Sequence, residues 1–118
     1  LRVTEGGELK MDGGTVESER WLENEKGGII SGHGKIKSEL YNSGVMKLSP
    51  EKPLIVNGVV HLSGKLELDD SKHPFKEKKI SVIQGKSISG KFENSYLQIQ
   101  EKTYAIQYEK KEVYLVAK

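Results

Sequence analysis

The sequence contains no cysteine, few aromatic residues and no long apolar run. Without cysteine the chain has no disulfide, no thiolate zinc site and no cysteine nucleophile. Since no apolar run approaches the roughly 18 residues that a spanning helix needs, we expect no membrane span in this chain. The 19 basic residues are interspersed with 17 acidic ones. Because a nucleic-acid surface needs a stripe of one charge, we expect no nucleic-acid partner.

Helix signals are also scarce, since no stretch repeats apolar residues at helical spacing over three turns. Between Leu54 and Leu68, by contrast, every even position is apolar or glycine and most odd positions are polar. This period of two is typical of strands with one buried and one solvated face. Because the run exceeds the usual length of a strand, Asn57-Gly58 and Ser63-Gly64 are predicted to be corners between short strands.

Similar short segments with brief polar connections predict an all-β fold for the whole chain. Three glycine pairs, Gly6-Gly7, Gly13-Gly14 and Gly27-Gly28, are separated by 7 and then 14 positions. Regularly spaced corners between short strands favour a coiled solenoid. A β-sandwich is the alternative fold, although only Asn57-Gly58 resembles the hairpin turns that such a fold uses.

The order of the glycine-punctuated strands is more informative than any one of them. The relevant stretches are GIISGHGKI (28–36), NSGV (42–45), LIVNG (54–58), LSGKLEL (62–68), ISVIQG (80–85), ISGKF (88–92) and YEKKEVYL (108–115). In this order they resemble the C-terminal end of right-handed parallel β-helices, especially the passenger domains of bacterial autotransporters. The resemblance covers about three-quarters of the chain.

The resemblance implies a single right-handed parallel β-helix domain over residues 1–118, forming the C-terminal part of a longer protein. Residues 1–91 would form the rungs, and the tyrosine-rich residues 92–118 would form a cap that seeds their folding. An uncovered terminal rung exposes backbone groups and core, which is why a cap is expected. The predicted cap and folding core comprises Phe92, Leu97, Ile99, Tyr104, Ile106, Tyr108, Val113 and Leu115.

The function implied is that of a non-catalytic stalk in a secreted or cell-surface protein, with no cofactor. Its expected partners are upstream β-helix rungs of the same polypeptide and a host or cell-surface glycan or protein. The alternative is a carbohydrate-binding module of an extracellular enzyme, in which Trp21 and Tyr41 would stack against sugar rings. Trp21 could equally cover the side of a rung. A third possibility is an accessory part of a β-helical polysaccharide lyase or hydrolase.

Other polar residues are weak candidates for chemistry. Adjacent carboxylates such as Asp69-Asp70 would not converge on one glycosidic bond, and a polar loop explains them better. His33, His61 and His73 lack the spacing of known metal motifs, so we expect no metal site.

Overall fold

The computed structural model describes residues 1–69, 78–99 and 101–118, and no residue in these ranges is helical. The described chain is built from strands, which confirms the predicted all-β class. In chain order these are β1 (Arg2–Val3), β2 (Glu8–Asn24), β3 (Ile29–Asn42), β4 (Val45–Leu48), β5 (Leu54–Val56), β6 (Val59–Leu62), β7 (Lys65–Leu68), β8 (Lys79–Gln84), β9 (Ser87–Gly90), β10 (Tyr96–Ile99), β11 (Lys102–Tyr108) and β12 (Glu112–Ala117).

Strands β2–β9 form coils that stack in parallel. We call β2 coil 1, β3 coil 2, β4–β6 coil 3 and β7–β9 coil 4. Leu40 of coil 2 lies beside Val60 of coil 3, and Val45 of coil 3 lies beside Lys65 of coil 4. Both pairs are 20 positions apart in the chain. This arrangement confirms the predicted β-solenoid, and the β-sandwich alternative is wrong because sandwiches consist of antiparallel sheets.

Each coil contributes to three faces of the solenoid. On face 1, β4 lies between the start of β3 and β7; on face 2, β5 lies between the middle of β3 and β8. On face 3, β6 lies between the end of β3 and β9. Coil 1 pairs with coil 2 on all three faces. The register between them shifts between Asp12 and Thr15 and again between Glu17 and Trp21.

The alternating run predicted from the sequence places its apolar side inside the solenoid. Leu54, Val60 and Leu66 have no exposed surface, whereas Ile55 and Lys65 point outward. Burying each large aliphatic side chain contributes about 1.5–3 kcal/mol to the free energy of folding, so the strands strongly favour the orientation that points these residues inward. The strands also break at the predicted corners, since 57–58 separate β5 from β6 and 63–64 separate β6 from β7.

Two buried asparagines stack on one another inside face 3. Asn24 Nδ2 donates to Asn42 Oδ1 (2.8 Å) and to the carbonyl oxygen of Val45 (3.1 Å). Asn42 Nδ2 donates to the carbonyl oxygens of Gly44 (3.2 Å) and Ser63 (2.8 Å). Asn24 Oδ1 has no hydrogen-bond partner among the described residues. The two amides therefore tie three successive coils together at the corner that follows face 3.

The C-terminal region departs from the parallel pattern. β10, β11 and β12 form an antiparallel meander, and β12 pairs antiparallel with β8 of coil 4. Leu115 lies beside Ile106 on one side and Ile80 on the other. The meander therefore extends face 2 beyond the last coil.

The meander and the segment before it close the downstream edges of coil 4. β8 is covered by β12, and on face 3 the N–H of Ile88 in β9 donates to the carbonyl oxygen of Lys110 (2.8 Å). On face 1 the side chain of Asn94 binds the backbone of Leu66 in β7. Its Oδ1 accepts from the Leu66 N–H (3.0 Å), and its Nδ2 donates to the Leu66 carbonyl oxygen (2.9 Å). Backbone groups on all three faces of coil 4 thus have partners.

The residues predicted for the cap differ in how deeply they are buried. Leu115 and Val113 have no exposed surface, Tyr104 is 1% exposed, and Phe92 and Ile106 are also buried. The half-buried members pack against this core; they are Leu97, Ile99 and Tyr108. Tyr96, one of the four tyrosines in this region, points into solvent beneath the Lys118 ammonium instead. Only some of the aromatic residues in the tail therefore belong to the hydrophobic core.

Tyr108 also fixes the start of the cap. Its hydroxyl oxygen accepts a hydrogen bond from the N–H of Phe92 (2.9 Å). Burial raises the pKa of Tyr108, and the bond from Phe92 opposes this shift. Since the ordinary tyrosine pKa is already near 10, the hydroxyl stays protonated at neutral pH.

The upstream end of the solenoid is arranged differently. Within the described residues, β2 has an upstream partner strand only at Glu23 and Asn24, which pair with β1. The carbonyl oxygen of Gly7 accepts a hydrogen bond from the Ile29 N–H (3.0 Å), so the backbone groups of Gly7 point toward β3. Because successive residues of a strand point their N–H groups to opposite edges, the N–H of Leu9 also points toward β3 and that of Lys10 points upstream. Residues 8–20 thus present an open strand edge.

Candidate functional site

Trp21 and Tyr41 both lie on the outer surface of face 3. Trp21 is 40% exposed and Tyr41 is 38% exposed. Trp21 lies beside Glu39 in the register of β2 and β3, so Tyr41 is its diagonal neighbour on the next coil. Diagonal neighbours on one sheet face lie within reach of aromatic side chains. The fold therefore brings the two aromatic residues predicted from the sequence onto one surface.

His61 extends this surface by one further coil. Tyr41 and His61 are paired in register, and their rings stack with centroids 4.2 Å apart and planes inclined by 7°. Glu39 Oε2 accepts a hydrogen bond from the Tyr41 hydroxyl (3.1 Å) and lies 3.6 Å from His61 Nε2. We name the four residues Trp21, Glu39, Tyr41 and His61 the face 3 stripe.

The hydrogen bond to Glu39 changes the acidity of Tyr41. This bond is the largest cause of a raised Tyr41 pKa, and desolvation and the charge of Glu39 add to it. The phenol therefore remains a hydrogen-bond donor at neutral and moderately alkaline pH. Glu39 stays able to accept further hydrogen bonds, because an ionised carboxylate offers about four acceptor positions.

The stripe rests on a fully buried row of side chains. Leu22, Leu40 and Val60 point inward from the same three strands and have no exposed surface. Because neighbouring residues of a strand point to opposite faces, packing of this row fixes the strands that carry the stripe.

A separate cavity of about 410 Å³ lies at the corner between faces 1 and 2. Its polar lining includes Asp12, His33, Glu51 and Asp69. No group of three or more potential metal ligands is present among the described residues. Asp69 is exposed, and its N–H donates to the carbonyl oxygen of Leu48 (2.8 Å), which ties it to the corner.

The other weak candidates from the sequence do not come together. Asp70 and His73 lie outside the described residues. His33 lines the corner cavity, whereas His61 lies in the face 3 stripe. The structure thus places the two described histidines at different sites.

Sequence analysis did not identify Glu39, and it treated His61 only as a candidate metal ligand. Their roles depend on register, since Tyr41 meets His61 only because these residues are 20 positions apart in successive coils. No local pattern in the sequence gives this spacing. The even positions of 54–68 give the faces but not the length of a full coil.

No protein-family model, curated protein or solved structure matches this chain. In the part of the chain that the structure describes, no helix could span a membrane.

Proposed function

We propose that this chain is the capped end of a longer β-solenoid, which serves as a non-catalytic stalk or scaffold. Its partners are upstream coils of the same polypeptide. The observation that carries the proposal is the difference between the two ends of the solenoid. Coil 4 is covered on all three faces, whereas no described strand pairs with the upstream edge of residues 8–20 in coil 1.

The open edge is suited to another coil of the same kind. Backbone N–H groups such as that of Lys10 point upstream, and β1 already pairs with the last part of coil 1 on face 3. Leu9 and Val16 are only half buried and pack against the core from this end. A further coil would pair the edge and bury both side chains, as neighbouring repeats do in solenoids.

The secreted or cell-surface setting belongs to the proposal and is supported by the resemblance to autotransporter passenger domains. The proposal includes no catalytic step, as the same resemblance implies.

A stalk end should accept additional coils, and this can be tested by inserting a second copy of residues 45–64 directly after Gly64. Each inserted strand would stack on its original, because Val45 pairs with Lys65 at the same spacing. We expect a folded protein that is longer by about 4.8 Å, the spacing of adjacent strands. Its melting temperature should be at least that of the parent, since stability in solenoids is approximately additive over repeats.

The control is an insertion of the same 20 residues in scrambled order, which keeps length and composition but loses the alternation. We expect this variant to melt at a lower temperature than the ordered insertion. Small-angle X-ray scattering and thermal unfolding by circular dichroism measure the two quantities. Equal melting temperatures for the ordered and scrambled insertions, or an ordered insertion that does not lengthen the particle, would contradict the proposal.

A further inference from the structure

We propose that Asn57 is a site of spontaneous deamidation, and that the isoaspartate formed there loosens the corner between faces 2 and 3 of coil 3. Residues 57–58 form this corner, which separates β5 from β6. The inference concerns the covalent stability of the coils and is independent of the function proposed for the ends of the solenoid. It rests on the side chain of Asn57, the backbone of Gly58 and the hydrogen bonds that tie the corner to its neighbours.

The four asparagines of the chain differ in what holds their side chains. Asn24 and Asn42 are buried, and their amide groups are hydrogen bonded. Asn94 binds the backbone of Leu66 through both of its side-chain polar atoms. Asn57 is exposed, and its side chain has no hydrogen-bond partner within the described residues. Its Cγ is therefore the one that is free to rotate toward the backbone nitrogen of the following residue.

The backbone nitrogen that follows Asn57 is also accessible to this side chain. Gly58 has no Cβ to hinder the approach, and its N–H donates to no oxygen atom in the part of the chain that the structure describes. After the two buried asparagines, by contrast, the Glu25 and Ser43 N–H groups donate to carbonyl oxygens at 2.9 and 2.8 Å. A Cβ at position 58 would lie 2.5 Å from the carbonyl oxygen of Ser38, so the fold itself requires glycine after Asn57.

The reaction is an intramolecular displacement that needs only water as a co-reactant. The Gly58 nitrogen gives up its proton and forms a bond to Asn57 Cγ. The bond from Cγ to Nδ2 breaks, and ammonia leaves with that proton, so that a five-membered succinimide remains. Water then opens the ring. Addition at Cγ gives aspartate, whereas addition at the backbone carbonyl carbon gives isoaspartate, in which the main chain runs through Cβ and Cγ.

The two products have different effects on the corner. The Asn57 N–H donates to the carbonyl oxygen of Ile36 in coil 2 (2.8 Å), and the Gly58 carbonyl oxygen accepts from the Lys86 N–H in coil 4 (3.0 Å). Isoaspartate adds one main-chain carbon between these two groups, so the two hydrogen bonds cannot both keep their geometry. Aspartate leaves the main chain unchanged and places its carboxylate at an exposed position. Only isoaspartate should therefore disturb the stacking of coils 2, 3 and 4.

The first test measures the deamidation rate of each asparagine by peptide mass mapping, in the folded protein and in denaturant at the same mildly alkaline pH. The denatured chain gives the intrinsic reactivity, so the ratio of the two rates isolates the effect of the fold. Folding should slow the reaction at Asn57 by less than about tenfold. It should slow Asn24, Asn42 and Asn94 by a factor at least about ten times larger, because these side chains must first lose their hydrogen bonds. Slowing of Asn57 by more than tenfold, or equal slowing at all four positions, would overturn the proposed site.

The second test compares melting temperatures. The matched control is Asn57→Gln, which keeps the amide but would have to form a larger ring; we expect no conversion at this position. Asn57→Asp supplies the aspartate product and should melt within about 2 °C of the parent protein. The isoaspartyl form, separated from aged protein by ion exchange and identified by fragmentation, should melt at least about 4 °C below Asn57→Asp. A smaller difference between these two forms would overturn the proposed effect on the corner.

Discussion

Replacing Leu115 with aspartate should abolish cooperative folding of the whole chain. Leu115 has no exposed surface and lies between Ile106 and Ile80, where β12 joins the meander to coil 4. An aspartate there would bury an unpaired charge and remove a large apolar side chain, at a cost of about 4 kcal/mol or more. Since a small domain is stable by only about 5–15 kcal/mol, this loss is a large part of the total. Far-ultraviolet circular dichroism during heating measures the effect.

The matched control is charge reversal on a coil, Lys65→Glu. Lys65 is an exposed residue at the start of β7, and its backbone pairing with Val45 does not depend on its side chain. Surface substitutions of this kind change stability by about 0.5 kcal/mol or less. A Leu115→Asp protein that melts at the temperature of the parent would contradict the role of the meander in stabilising the coils.

Alanine at Gly32 should cause the second large loss of stability. Gly32 adopts a φ of +89°, and a Cβ at this position would overlap the carbonyl oxygen of Met11 on the neighbouring coil. The positive φ costs a non-glycine residue about 1–2 kcal/mol. Separation of two paired strands adds about 1–3 kcal/mol for overpacking, for a total of about 2–5 kcal/mol. Chemical denaturation measures the change in the free energy of unfolding.

The control at Gly6 separates the two contributions. Gly6 has a similar φ of +82°, but a Cβ there would meet nothing within 4 Å. Gly6→Ala should therefore show only the conformational cost, about 1–2 kcal/mol. Equal losses in the free energy of unfolding for Gly32→Ala and Gly6→Ala would contradict the close stacking of coils 1 and 2 at this corner.

Much of the solenoid could be predicted from the sequence, because its main determinant is local. The alternation from Leu54 to Leu68 decides which side chains point inward, and 57–58 and 63–64 supply the corners. These features need only neighbouring residues and the energy of burying apolar side chains.

The closure of the downstream end and the stacking of the two buried asparagines could not be predicted in the same way. The Asn94 side chain binds Leu66, 28 positions earlier, and Asn24 binds Asn42, 18 positions later. Asparagine is common in turns, so its identity alone does not distinguish a loop residue from a buried one. The tail was predicted to be a cap, but strand direction in β10–β12 depends on pairing that alternation does not specify.

The candidate site was predictable only in its aromatic residues. Trp21 and Tyr41 are conspicuous because the chain has few aromatic side chains. Glu39 and His61 gain their roles from the registers between coils 1, 2 and 3, in which the offset changes from 18 positions at Trp21 and Glu39 to 20 at Tyr41 and His61. An irregular coil length hides such neighbours from any analysis of periodicity.

The most direct test of the account is residue-resolved amide hydrogen exchange, at a concentration where the chain is monomeric. At the upstream edge, the amide of Lys10 should exchange rapidly while that of Leu9 is protected, because only the latter faces β3. At the downstream end, Leu66 and Ile88 donate to Asn94 and Lys110 and should exchange at least about a hundredfold more slowly than Lys10. Equal protection of Lys10 and Leu9, or rapid exchange at Leu66 and Ile88, would contradict a solenoid that is open at one end and closed at the other.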